Sequence, residues 1–194
     1  TKEAEVDIDG NLMIGQDGVG TFYMLGVSGG GPTRLEAVDP LAGLCAIGRT
    51  YDGNATVGVY SMLRCQTMEL GQAGTGTVGT GTLIVNGGFV RVLDVLRVGA
   101  GTAGSGGPGW LEMSWDRNEA VVATNGTYIA PNGGILGDGK LYVGALGLII
   151  EGVLSPGIIV SFPLAAPAAG RAAIAQTPDV METLTVSGTV TFRP

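Results

Sequence analysis

Both ends of the chain alternate polar and apolar residues with a period of two. Near the start, carboxylates at positions 3, 5, 7 and 9 alternate with Ala4, Val6 and Ile8, and residues 184–193 alternate apolar side chains with Thr, Ser and Arg. Successive side chains of a strand point to opposite faces, so each segment predicts a strand with an apolar inward face. No long stretch between them has a helical period, and Pro167 interrupts the alanine-rich residues 164–175, which we expect to form a loop or one helical turn.

An apolar residue followed by glycine recurs ahead of short segments rich in Thr and Val. These anchors are Ile14, Ile47, Leu70 and Val98, separated by 33, 23 and 28 residues. Short glycine-punctuated strands at such intervals are typical of a solenoid whose coils are joined by loops of unequal length. We therefore predict an all-β fold, a parallel β-helix whose glycines lie at corners that need positive φ or close backbone approach. The predicted inward residues are Leu12, Ile14, Leu70, Leu83, Val85, Leu96 and Val98.

Five runs also resemble a known family. They are residues 10–15, 79–88, 132–139, 152–157 and 184–188. Their Gly-Gly-Ile-Leu segment, Ser-Pro-Gly turn and Leu-Thr-Val strand are similar to the repeats of autotransporter passenger domains and autotransporter-associated β-strand repeat proteins. The resemblance covers most of the chain and implies a right-handed parallel β-helix exported to the cell surface or beyond. Residues 158–179 depart from the family's pattern, because they separate the Ser-Pro-Gly turn from the strand that follows it. We expect residues 1–194 to form a single β-solenoid domain.

Composition and charge exclude several functions. The chain has 194 residues with 36 glycines, 17 acidic and 10 basic residues, a net charge of -7 and no histidine. Histidine-dependent catalytic triads, histidine–zinc sites and imidazole pH switches are therefore excluded. An acidic chain with two lysines offers no electrostatic footprint for nucleic acid, so we expect no nucleic-acid partner. Cys45 and Cys65 allow one intramolecular disulfide, and two buried reduced thiols are the alternative.

One segment combines aromatic rings with carboxylates. Trp110 and Trp115 are platforms for a sugar ring, and Asp116 and Glu119 lie nearby in the sequence. This grouping is a candidate carbohydrate contact, and the alternative is a loop with partly buried tryptophans. Sequence does not give the separation of the two carboxylates, which would decide the stereochemistry of any hydrolysis. We assign no catalytic residue and expect no enzyme activity.

The carboxylates of the first strand are a candidate calcium site. Glu5, Asp7 and Asp9 share one face of the predicted strand, and like charges so spaced repel one another unless a cation lies between them. Calcium prefers such hard oxygen ligands, so it is the one cofactor we consider. The apolar residues 12–14 stand where an EF-hand loop would need further ligands. A solvated edge strand and an electrostatic contact with another subunit are the alternatives.

Residues 141–164 are markedly apolar. Glu151, Pro156 and several glycines interrupt them, so we expect no membrane span. Buried strands are the ordinary interpretation. The alternative is that apolar residues in excess of what the interior accepts form a surface between subunits.

These patterns predict a non-enzymatic structural protein located outside the cell or on its surface. Its partner would be further copies of itself, assembled into a filament, sheath or surface layer by strand addition at open solenoid ends. The residues that we assign to self-association are Glu3, Glu5, Asp7, Thr189, Thr191 and Arg193. The alternative is a cell-surface adhesin, or a β-helix that binds or cleaves a cell-surface glycan.

Overall fold

Alternating apolar and polar side chains form strands throughout the described chain. The computed structural model describes residues 4–26, 32–39, 43–71, 79–100, 106–115 and 118–162, together with the backbone of residues 184–186 and 189–190. This part contains seventeen strands and no helix, so it has no helical segment that could cross a bilayer. In chain order the strands β1 to β17 are Ala4–Asp7, Leu12–Ile14, Gly20–Met24, Thr33–Ala37, Leu44–Ile47, Gly53–Gly58, Ser61–Cys65, Thr67–Leu70, Gly81–Asn86, Phe89–Val98, Gly109–Ser114, Val121–Ile129, Gly133–Ile150, Val153–Leu154, Gly157–Ser161, Leu184–Val186 and Thr189–Val190. The prediction of an all-β fold is confirmed.

The strands pair in parallel and form three ladders. The first ladder runs through β1, β4, β7, β10, β12, β13 and β15. The second runs through β2, β5, β8, β10, β12, β13 and β16. The third runs through β3, β6, β9, β11, β13, β14 and β17. The chain visits the ladders in this order and then returns to the first; we call one such passage a triplet. The long strands β10, β12 and β13 bend, so each serves more than one ladder.

The apolar anchors found in the sequence are register partners of one another. Ile14 pairs with Ile47, Ile47 with Leu70, and Leu70 with Val98. The same column continues through Ile129 and Ile150, and its side chains are at most 7% exposed. Burying one such side chain contributes about 1.5 to 3 kcal/mol. The stacking that the repeat predicts therefore lies at the centre of the core.

Glycines form the corner between the second and third ladders. The residue after each anchor, Gly15, Gly48, Gly71 or Gly99, has a φ between 71° and 84°. Gly20, Gly53, Gly81, Gly109 and Gly133 follow the corner and are register partners of one another. A Cβ on Gly53 would overlap the backbone of both Ile14 and Gly48. The corner therefore requires glycine for backbone conformation on one side and for close approach on the other.

The inward columns are well buried except where a ladder ends. The first ladder stacks Leu35, Leu63, Val90, Val122 and Leu141, none more than 7% exposed. Val6 occupies the same column in β1 but is 53% exposed, since β1 has a described strand partner on one side only. Of the predicted inward residues, Leu12 is partly buried against the core and the others are buried. The helical turn considered for residues 164–175 lies outside the described residues.

Candidate functional site

The two tryptophans differ in their surroundings. Trp110 is in β11, opposite Gly134 of β13, and a Cβ on Gly134 would lie 2.7 Å from the Trp110 ring. The ring therefore lies against the glycine backbone. Trp115 follows β11 and is 61% exposed. Asp116 lies outside the described residues, so the carbohydrate contact assigned to two rings and two carboxylates stays a prediction.

Glu119 is engaged by a cation. Its carboxylate forms a salt bridge of 2.6 Å with the Nζ of Lys140 in β13. Hydrogen bonding to Glu119 raises the pKa of Lys140, with a smaller contribution from the carboxylate charge. Glu119 is thus neutralised by Lys140, and neither tryptophan lines the groove in which Glu119 lies.

The acidic first strand is exposed along its whole length. Glu5 and Asp7 in β1 are register partners of Arg34 and Glu36 in β4. Within the described part of the chain, no three His, Cys, Asp or Glu side chains are grouped so that they could hold a metal ion. The calcium site assigned to Glu5, Asp7 and Asp9 stays a prediction.

Other carboxylates along the ladders pair with cations one strand away. Glu36 forms a salt bridge of 2.9 Å with Arg64, and Glu69 one of 3.8 Å with Arg97. Burial raises the pKa of Glu69, which outweighs the opposite effects of Arg97 and Arg49. In these two pairs a carboxylate on one strand is offset by a cation on the next strand of the ladder.

The two cysteines form a disulfide inside the core. Cys45 in β5 and Cys65 in β7 have Cα atoms 6.0 Å apart, and both residues are 0% exposed. β5 belongs to the second ladder and β7 to the first ladder of the next triplet. The bridge therefore joins two consecutive triplets across the interior. Of the two alternatives that the sequence left open, a disulfide or two reduced thiols, the structure has the disulfide.

The residues assigned to self-association lie at opposite ends of the ladders. Glu5 and Asp7 are in β1, and Thr189 begins β17, the last strand of the third ladder. Glu3, Thr191 and Arg193 lie outside the described residues. The apolar stretch contributes both to the core and to the surface: Leu141, Leu148 and Ile150 are buried, whereas Leu146 and Ile159 are more than half exposed.

An open groove crosses the first ladder and was missed by sequence reasoning. It has a volume of about 330 Å³ and is lined by Arg34, Met62, Phe89, Val121 and the corner residue Tyr60, among others. These residues are far apart in the chain and meet only through the register of β4, β7, β10 and β12. One sequence signal for this groove exists. The outward positions of β7 include Met62 and Arg64, and those of β10 include Phe89 and Arg91, so each strand has an apolar residue where a polar one is expected.

Comparisons of this chain with models of protein families, with curated proteins and with solved structures find no match.

Proposed function

We propose that this chain is an extracellular structural protein, a parallel β-helix whose copies associate end to end into a filament, sheath or surface layer. In this proposal each triplet is one coil. Three parallel ladders visited in a fixed order support it, as does the stack of apolar anchors between successive triplets. Such coils bury their apolar side chains only against neighbouring coils, so stability arises between coils and the terminal coils need a partner or a cap.

The exposed end of the first ladder is the observation that carries this proposal. Val6 occupies an inward column and is 53% exposed, while the next four members of that column are buried. Among the described residues its strand β1 pairs only with β4, so in this proposal the other edge of β1 accepts a further strand. At this end of the described ladders an inward column is therefore left open, and in this proposal a second copy covers it.

The opposite end offers matching chemistry. The three inward columns begin at Val6, Ile14 and Phe22. The first ends at Val160, and the register of the other two continues to positions 186 and 190, which are both valine. Stacking the last triplet of one copy on the first triplet of another would continue every column with an apolar pair. Such a contact joins two different surfaces, and when copies stack end to end along the ladder direction the contact does not close into a ring, so it propagates along one axis.

A charge at the exposed end of the column tests this proposal. Val6→Lys places an ammonium where the next copy would bury Val6, and because Val6 is exposed in the single chain the fold should be retained. We expect Val6→Lys to abolish polymers that the unchanged chain forms in a concentration series followed by negative-stain electron microscopy and sedimentation. Val19→Lys is the matched control, since Val19 is 75% exposed and lies in a corner outside the strands.

Polymers that persist in Val6→Lys would contradict assembly through this end. Dispersed particles of the unchanged chain at every concentration would contradict self-association altogether. They would favour the second candidate function, a cell-surface adhesin that contacts a glycan through a ring such as Trp115, which is 61% exposed.

A further inference from the structure

The groove on the first ladder has an apolar floor built by register. Arg34, Met62, Phe89 and Val121 are successive partners across four strands, and the last three are partly buried. Neighbouring strands are about 4.8 Å apart, so four positions in line span about 14 Å. Pro32, Tyr60, Asn118 and Glu119 also line the groove. The groove is therefore an elongated apolar trough rather than a polar cleft.

One end of the trough carries a cation that is not compensated. Within the described residues Arg34 forms no salt bridge, and its buried Nε has no hydrogen-bond partner. Glu119, the carboxylate of the groove, is neutralised by Lys140. Glu5 is the register partner of Arg34 in β1, is exposed and does not pair with it. The trough thus has one net positive charge at its Arg34 end, although the chain as a whole is acidic.

Tyr60 is held at the edge of the trough in an unfavourable backbone conformation. Its φ is 57°, and among described residues it is the one non-glycine residue with positive φ. Tyr60 stands two residues before Met62, as Gly87 stands two residues before its register partner Phe89, and Gly87 has a φ of 67°. The corner before β10 thus has glycine at this position, whereas the equivalent corner before β7 has tyrosine. Tyr60 also lines the groove, and a strained residue at a candidate site is an observation from which a function can be proposed.

We propose that this groove binds a small amphipathic carboxylate. The carboxylate accepts hydrogen bonds from the Arg34 guanidinium, and the apolar body lies over Met62, Phe89 and Val121 beside Tyr60. A charge-assisted hydrogen bond from arginine fixes one end, and removal of apolar surface from water contributes along the trough. This binding site is independent of the proposed end-to-end assembly, because it lies on the outward side of the ladder.

Three probes separate the two halves of this site. Octanoate carries both the anion and the apolar chain, octanol lacks the anion, and acetate lacks the chain. We expect saturable binding of octanoate to the full chain by isothermal titration calorimetry, with octanol and acetate each at least about tenfold weaker. Equal affinity of octanoate and octanol would overturn the role of Arg34, and absence of octanoate binding would overturn the proposal.

A variant and a wild-type measurement test the contact with Arg34. Arg34→Gln should weaken octanoate binding about tenfold or more, whereas Arg91→Gln, which removes an exposed arginine of β10 outside the groove, should not. In the unchanged chain, octanoate at about ten times its Kd should slow modification of Arg34 by phenylglyoxal about tenfold, read by mass spectrometry. Modification of Arg91 should be unaffected. Equal protection of both arginines would overturn the proposal even if Arg34→Gln fails to fold.

Discussion

Tyr60 occupies the left-handed region of backbone space, where side chains crowd the following carbonyl. For a residue other than glycine this conformation costs about 1 to 2 kcal/mol. The backbone around it accounts for its persistence: the N–H of Thr33 donates to the carbonyl of Tyr60, and the N–H of Gly26 donates to that of Val59. A Cβ on Gly26 would overlap the Tyr60 backbone, so the segments around Gly26 and Tyr60 are in close contact at this corner.

Two substitutions at Tyr60 isolate this strain. Tyr60→Gly and Tyr60→Ala both remove the ring, but only glycine adopts the left-handed conformation freely. We expect Tyr60→Gly to have the higher free energy of unfolding, by about 1 kcal/mol, in urea denaturation. At Tyr23, an exposed residue of β3 without positive φ, the order should reverse, with alanine more stable than glycine by about 0.5 to 1 kcal/mol. The same order at both sites would contradict the assignment of strain to Tyr60.

Strands and corners specify different parts of this fold. Strands supply the apolar columns, and the glycine corner sets where each strand of the second ladder ends and where the following strand of the third ladder begins. At Gly48, a Cβ would overlap the carbonyl oxygen of Thr80 and the backbone nitrogen of Gly81 in the next triplet. A corner glycine therefore positions the strand that follows it and also the triplet stacked on it.

Gly48→Ala should be strongly destabilising. The substitution combines a φ of 71° with overlap of the neighbouring backbone, so we expect the free energy of unfolding to fall by about 2 kcal/mol or more. Gly18→Ala is the matched control, because a Cβ on Gly18 would meet nothing within 4 Å. Both can be measured by chemical denaturation. Equal effects at Gly18 and Gly48 would show that the corner is not tightly packed.

The anchors could be predicted because one local pattern, an apolar residue followed by glycine, recurs along the chain. Ile129 and Ile150 belong to the same column but were not recognised, since Ala130 and Glu151 follow them instead of glycine. The outward apolar phase of Met62 and Phe89 is visible in the sequence, but the groove could not be located from it, because the partners of these residues depend on register between distant strands. Spacing also left the pairing of Cys45 and Cys65 open, since it does not say that β5 and β7 face each other across the interior.

At the scale of the molecule, the disulfide joins β5 of the second ladder to β7 of the first ladder, two strands that are not register partners of each other. It closes a loop of about 20 residues and links the second triplet to the third. A loop of this length restricts the unfolded chain enough to contribute about 3 kcal/mol of stability.

Replacing both cysteines should remove this contribution. We expect Cys45→Ala/Cys65→Ala to lower the free energy of unfolding by about 3 kcal/mol relative to the oxidised chain. Adding a reductant during denaturation should lower the stability of the unchanged chain by a similar amount and leave the double variant unaffected. Identical unfolding curves for the unchanged chain with and without reductant would show that the cysteines are not bridged.

The glycine corner also has a use for engineering. Between the anchor column and the registered glycines that follow it, successive triplets have 5, 5, 10, 10 and 3 residues, yet the strands on both sides keep their register. The same pair of ladders thus tolerates corner segments that differ threefold in length. Loop closure becomes only slowly more costly as a loop lengthens. We therefore expect this corner to accept a grafted foreign peptide while the strands on both sides keep their register.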